Sequence, residues 1–222
     1  GHHGLWEQVT GPFKLAVLGG KNTSFAIERA NLKFFATEYH SQAPLWTVLG
    51  LRQKLKVEEV EAIHVQTYWS AYSEIGGDPA KWDPRTRETA DHSLPYLLAV
   101  ALRDGRITPA IFEPESFLDP ALRPLMARIR VSENKEFTRA FPAALTSEIE
   151  VVMRSGLKLV ERTGYPKGHV RNPMTDADVE AKFRDFCNGV LTTARIDAAV
   201  QMLRRLEELP KLGPLLDLLQ VG

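Results

Sequence analysis

The stretch LKFFATEYHSQAP, Leu32 to Pro44, gathers a cation, a carboxylate, an imidazole, a hydroxyl and an amide within ten positions, as Lys33, Glu38, His40, Ser41 and Gln42. Lys33 could hold a fixed positive charge while His40 moves a proton near neutral pH. A second group, Asp91, His92 and Ser93 with Tyr96 one turn on, precedes an apolar run; a helix N-terminus there can present hydroxyls and amide N–H groups to an anion. A third, Lys167, His169 and Arg171, alternates through the loop GYPKGHVRNP. Arginine suits a carboxylate because its guanidinium binds one bidentately. Each group also has an ordinary structural explanation: a solvated strand lysine beside a helix-capping histidine, capping by Asp91 or Ser93 over a core Tyr96, and a solvated basic loop. Their shared chemistry of cations, imidazoles and hydroxyls is what a site acting on a polycarboxylate needs.

Other chemistries lack their residues. There is no P-loop and no dinucleotide glycine motif. Nor is there a histidine pair at helical metal spacing or a Gly-x-Ser-x-Gly elbow, so neither a cofactor nor a metal is expected. Lys+Arg and Asp+Glu balance at 28 each, which argues against nucleic acid or an anionic membrane as partner, since both favour a basic excess. With 44% hydrophobic and 25% charged residues in 222, the chain can bury a sizeable core without staples. Its single cysteine, Cys187, excludes an internal disulfide and suits a reducing compartment; within KFRDFCNGV it reads as a small buried hydrophobe. No apolar run is long enough to span a bilayer, and the start does not read as a secretory signal. A cytoplasmic location is expected, or the mitochondrial matrix in a eukaryote. The opening GHHGLWEQVTGPF, without Met, reads as the edge of something longer.

The elements that must position these groups form an α+β pattern. Residues 1–24 read as a glycine-rich connection with a short helix, and FAIERANLKFF as a strand carrying Lys33. Ser41 or Gln42 then opens a helix with Pro44 in its first turn. VEAIHVQTY alternates Ile63, Val65 and Thr67 against Ala62, His64 and Gln66, a strand with two unlike faces. A buried helix begins near Ser93 or Leu94 and stops at Asp104-Gly105. DPALRPLMARIRV gives an Asp-capped helix and a strand, and SEIEVVMRSGLKLVERT gives a hairpin turning at Arg154-Ser155-Gly156. Thr175 caps a helix whose inner face is expected to carry Val179, Phe183, Phe186 and Val190. A second amphipathic helix ends at Pro210. The expected architecture is an antiparallel sheet of three to five strands flanked by helices, followed by a helical pair with few partners in the sheet.

The blocks FAIERANLKFFATEYHSQAP, WDPRTRETADHSLPYLLAVALRDG, DPALRPLMARIRV and YPKGHVRNPMTDADVEAKF, in that order, resemble the MmgE/PrpD family. Its members include 2-methylcitrate dehydratase, cis-aconitate decarboxylase and iminodisuccinate epimerase. The resemblance implies an α+β lid over residues 25–168, preceded by a connection over 1–24. Residues 169–222 would return to a larger all-helical domain, most of which lies outside this chain. It implies a cofactor-independent hydro-lyase acting on a small polycarboxylate in the cleft between domains, within a homodimer; propionate metabolism is the implied setting. Decarboxylation, isomerisation or epimerisation of a related acid, or a non-catalytic lid fragment, are the rivals. Matched residue by residue, Lys33, His40 and Tyr96 fall on the family's active positions, with Ala36 where proline is usual. The spacing from Lys33 to His40 is that of dehydratase-like members. Ser41, Gln42, His92, Ser93, Lys167, His169 and Arg171 fall beside them as substrate contacts. The helical domain contributes part of the family site, so the chain alone is expected to be inactive.

Overall fold

The computed structural model describes residues 25–221 together with Val9 and Gly11. The expected connection and short helix over 1–24 otherwise lie outside the described residues. The chain divides into two compact units, Gly1–Asn31 and Leu32–Gly222. In the first, Ala26–Arg29 forms a single 3-10 turn, its start held by the Glu28 carboxylate accepting from the Phe25 N–H at 3.3 Å. The strand expected over Phe25–Phe35 therefore does not form. Phe25, Ile27 and Leu32 are all exposed, so this stretch has no sheet face to bury.

In the second unit, α1 spans Gln42–Arg52 and leads to the central strand β1, Val60–Thr67. Ile63, Val65 and Thr67 point inward, while His64 and Gln66 are exposed, as the alternation requires. A register irregularity between Val60 and Ala62 lets Val60 face inward as well. Helix α2, Leu94–Asp104, is apolar on nearly every side and buried from Leu94 to Leu102, which suits a helix enclosed by the core. It stops at Gly105, whose φ of 71° supplies the left-handed turn. Arg52 of α1 caps that end by donating to the Leu102 and Arg103 carbonyls at 2.6 and 3.2 Å.

Strand β2 spans Ile129–Glu133, α3 Lys135–Ala140, β3 Ser147–Met153 and β4 Lys158–Thr163. The β3–β4 hairpin turns at the expected residues, with Gly156 at φ 84°. Sheet order is β2-β1-β3-β4. β3 runs antiparallel to β1 and β4, but β2 runs parallel to β1, with Ile63 opposite Ile129. The sheet is thus mixed, where antiparallel strands alone were expected: the long crossover through α2 returns β2 in the direction of β1. Leu45, Val48 and Leu51 of α1 join Ile63, Val65, Ile149 and Val151 in one core with α2. Each such side chain contributes roughly 1.5–3 kcal/mol by burial.

Helices α4, Asp176–Cys187, α5, Thr193–Leu203, and α6, Gly213–Leu219, follow. The Thr175–Asp178 capping box forms as the sequence indicates. Leu191, Ile196 and Val200 make a small core of their own with Phe183 and Cys187. Of the four residues expected on the inner face of α4, Phe183 packs inward, while Val179, Phe186 and Val190 remain exposed. Among the described residues no helix is long and apolar enough to cross a membrane.

Candidate active site

The loop from Lys33 to Ser41 is shaped by side chains, because irregular backbone next to a core must satisfy its own polar groups. Gln42, only 1% exposed, turns inward from the first turn of α1. Its Oε1 accepts from the Phe35 N–H at 2.9 Å, and its Nε2 donates to the Phe35 carbonyl at 3.1 Å and to Thr37 Oγ1 at 3.0 Å. Ser41 Oγ donates to the Glu38 carbonyl at 2.6 Å, which spends its one hydrogen. The 2.7 Å contact with Thr37 is then a donation from Thr37 to Ser41. Ser41 and Gln42 are therefore enclosed braces of the loop, their polar atoms engaged by its backbone and by Thr37.

His40 emerges from this brace half-buried, its N–H donating to the Glu38 carboxylate at 2.7 Å. Its Nδ1 lies 2.6 Å from the hydroxyl of Tyr68, just past the end of β1. The Tyr68 ring stacks on Phe141 with centroids 4.6 Å apart and meets the His40 ring edge-on at 5.4 Å. Burial pushes the Tyr68 phenol far up from its usual range, helped by the charge of Glu38.

Lys33 stands at the other end of the loop, exposed, on coil rather than on a strand. Leu32 before it donates its N–H to the Gly168 carbonyl at 2.8 Å, and Lys182 of α4 donates to the Lys33 carbonyl. Burial holds the Lys182 ammonium below the usual lysine range, and the charge of Lys33 adds to the effect. Lys33, Thr37, Arg87, Glu88, Asp91 and Phe112 line a hollow of about 170 Å³. Asp91 is spoken for: its Oδ1 accepts from the Glu38 N–H at 2.9 Å, and its Oδ2 lies 3.7 Å from His92 Nδ1. Among the described residues neither Lys33 nor Arg87 has an ion-pair partner; Arg87 lies over the Phe112 ring at 6.0 Å, and the two cations line one recess beside the His40 loop. No group of His, Cys, Asp or Glu able to hold a metal ion occurs among the described residues.

The remaining sequence-derived positions separate. Tyr96 is fully buried in α2, and its hydroxyl donates to the Ile111 carbonyl. Burial raises its phenol well above the ordinary value. A group sealed in this way is a core tyrosine and does not meet Lys33 and His40 at a common surface. Ser93 is also fully enclosed, capping α2 by accepting from the Tyr96 N–H at 3.1 Å and donating to the Lys81 carbonyl. His92 closes the short helix Arg87–Asp91, its ring held near the Glu88 carbonyl at 3.1 Å.

The basic loop does not form an open carboxylate clamp. Lys167 pairs with Asp178 at 2.9 Å, and Arg171 lies over the Tyr165 ring at 5.0 Å. His169, 5% exposed, accepts the Arg171 N–H on Nδ1 at 3.1 Å; burial, then the Arg171 charge, lowers its pKa. Each side chain has a partner within or beside its own loop. Sequence reasoning overlooked Tyr68, Arg87, Lys182 and Phe141. Only Tyr68 carried a signal, as an aromatic closing the β1 alternation.

Residues 35–208 match the MmgE/PrpD C-terminal domain. The chain is 26% identical over 137 residues to cis-aconitate decarboxylase of Mus musculus, covering 62% of this chain and 28% of that protein. It is 28% identical over 162 residues to 2-methylcitrate dehydratase of Salmonella typhimurium, covering 67% and 32%. It is 27% identical over 187 residues to the 2-methylcitrate dehydratase-like protein oryR of Aspergillus oryzae, covering 78% and 37%. The chain thus spans about a third of the length of these relatives. With most of its length matched by the domain that closes these proteins, the chain belongs to the MmgE/PrpD family.

Proposed function

We propose that this chain forms one wall of the cleft of a cofactor-independent lyase that removes water from a 2-hydroxy tricarboxylate such as 2-methylcitrate. The observation that carries the reading is the recess in which Lys33 and Arg87, both without an ion-pair partner among the described residues, stand beside the braced loop bearing His40. The hydrogen lost in such a dehydration sits beside a carboxylate and is weakly acidic. Removing it requires charge neutralisation at the carboxylate while hydroxide departs with the C–O electron pair. Lys33, with Arg87, would balance the developing enediolate charge, and His40 would serve the departing hydroxyl as hydrogen-bond donor or acid. The opposite wall, a helical domain, would seat on the apolar side chains that α4 and its C-terminal turn leave exposed, Val179, Phe186 and Val190. Half a cleft orients only half a substrate, so the chain alone would be inactive. We place the assembled enzyme, a homodimer, in the cytoplasm or mitochondrial matrix.

His40→Gln in the assembled enzyme should lower turnover of 2-methylcitrate by about 10²-fold or more, the size typical of an acid–base group. Unchanged kinetics would remove His40 from the reaction. Product analysis with methylcitrate, cis-aconitate and iminodisuccinate separates dehydration from decarboxylation and epimerisation. The relatives named both as dehydratases and as decarboxylases make this comparison necessary.

A further inference from the structure

The hydroxyl of Tyr68 is 2.6 Å from Nδ1 of His40 and belongs to a residue only 1% exposed. Such a contact leaves the neutral imidazole two choices. With its hydrogen on Nδ1 the ring would donate to the phenol oxygen, and the phenol hydrogen would need a second acceptor inside the cluster. Among the described residues the Tyr68 hydroxyl has no hydrogen-bond partner other than His40, and the rings of Phe141 and Tyr39 pack around the pair. With its hydrogen on Nε2 the ring instead accepts the phenol hydrogen on Nδ1, and both groups are satisfied by one bond. The phenol keeps that hydrogen at every ordinary pH, because burial opposes its ionisation.

We propose that Tyr68 is a positioning residue for His40, donating to Nδ1 so that the neutral ring carries its hydrogen on Nε2 and acts as a donor. Its catalytic consequence rests on the lyase reading above. A neutral ring of this tautomer cannot accept a proton at Nε2; it donates a hydrogen bond to the departing hydroxyl or to a substrate carboxylate. It becomes a full acid only as imidazolium, a state this contact disfavours because the Tyr68 hydrogen then loses its acceptor. The base that removes the carbon-bound proton is therefore a different group.

The test reads the tautomer, not turnover. In the ¹⁵N-labelled 222-residue chain, long-range ¹H–¹⁵N correlations of the histidine rings, assigned with H40Q, should show His40 Nδ1 as the unprotonated nitrogen. Y68F keeps the ring against Phe141 and removes the hydroxyl. It should move the tautomer ratio towards Nδ1–H by about fivefold or more, the factor that one hydrogen bond of ordinary net strength controls. A wild-type His40 with its hydrogen on Nδ1, or a Y68F ratio equal to wild type, overturns the proposal. The wild-type spectrum decides alone if the variant does not fold. Absence of turnover with every polyacid would instead defeat the lyase reading and leave the tautomer assignment standing.

Discussion

Gly168→Ala tests the contact that sets the approach of the chain to Lys33. Gly168 has φ 92°, and a Cβ built on it would lie 2.1 Å from the Leu32 carbonyl oxygen, roughly 1.3 Å inside ordinary van der Waals contact. The positive φ costs an L-residue about 1–2 kcal/mol. Relieving the overlap requires the two chains to part, which sacrifices the 2.8 Å bond from the Leu32 N–H to the Gly168 carbonyl. That bond adds about 1 kcal/mol. The expected loss is therefore about 2–3 kcal/mol. Gly156→Ala provides the reference: φ is 84°, but nothing lies within 4 Å of the added Cβ, so only the conformational cost of about 1–2 kcal/mol applies. Urea unfolding followed by circular dichroism, extrapolated linearly, measures both. If G168A costs no more than G156A, to within about 0.5 kcal/mol, the close approach of Gly168 to Leu32 is wrong.

Tyr96→Phe should lower stability by about 1–3 kcal/mol, because the Ile111 carbonyl loses its buried donor; an unchanged urea midpoint would show that the hydroxyl is not bonded. Asp178→Asn should change the acid limb of the stability curve. The Asp178 carboxyl is held down to about 2, chiefly by hydrogen bonds from the Thr175 side chain and backbone and then by Lys167. A depressed folded pKa contributes stability that is fully present above the unfolded value near 4 and is lost as pH falls through about 2. The gap between wild type and D178N, measured by urea unfolding, should therefore be widest near neutral pH and close between about pH 4 and 2. A gap independent of pH would refute the assignment.

Much of the fold was legible because periodicity and punctuation record burial directly. The alternation in β1, the turn at Gly156, the stop at Gly105 and the Thr175 cap each depend on neighbours close in sequence. The direction of β2 was not legible, since a strand reads alike in parallel and antiparallel pairing when its crossover is hidden. The false strand at Phe25–Phe35 arose from β-prone residues with no sheet to join. At the site, residue type identified Lys33 and His40 but could not say which polar side chains face inward. Ser41, Gln42 and Ser93 spend their hydrogen-bonding capacity inside the fold, on backbone and on Thr37. Tyr68 lies 28 residues from His40 and meets it only through the packing of β1 and the Phe141 segment.

The carboxamide of Gln42 works as a ruler between the helix start and the chain seven residues earlier. Adding or deleting one residue between Phe35 and His40 would slide the Phe35 N–H and carbonyl off that ruler. Two enclosed main-chain groups would be stranded, at about 1–3 kcal/mol each. Loop length and the identity of position 42 are therefore coupled: a descendant that altered one without the other would lose the register between its cation and its imidazole.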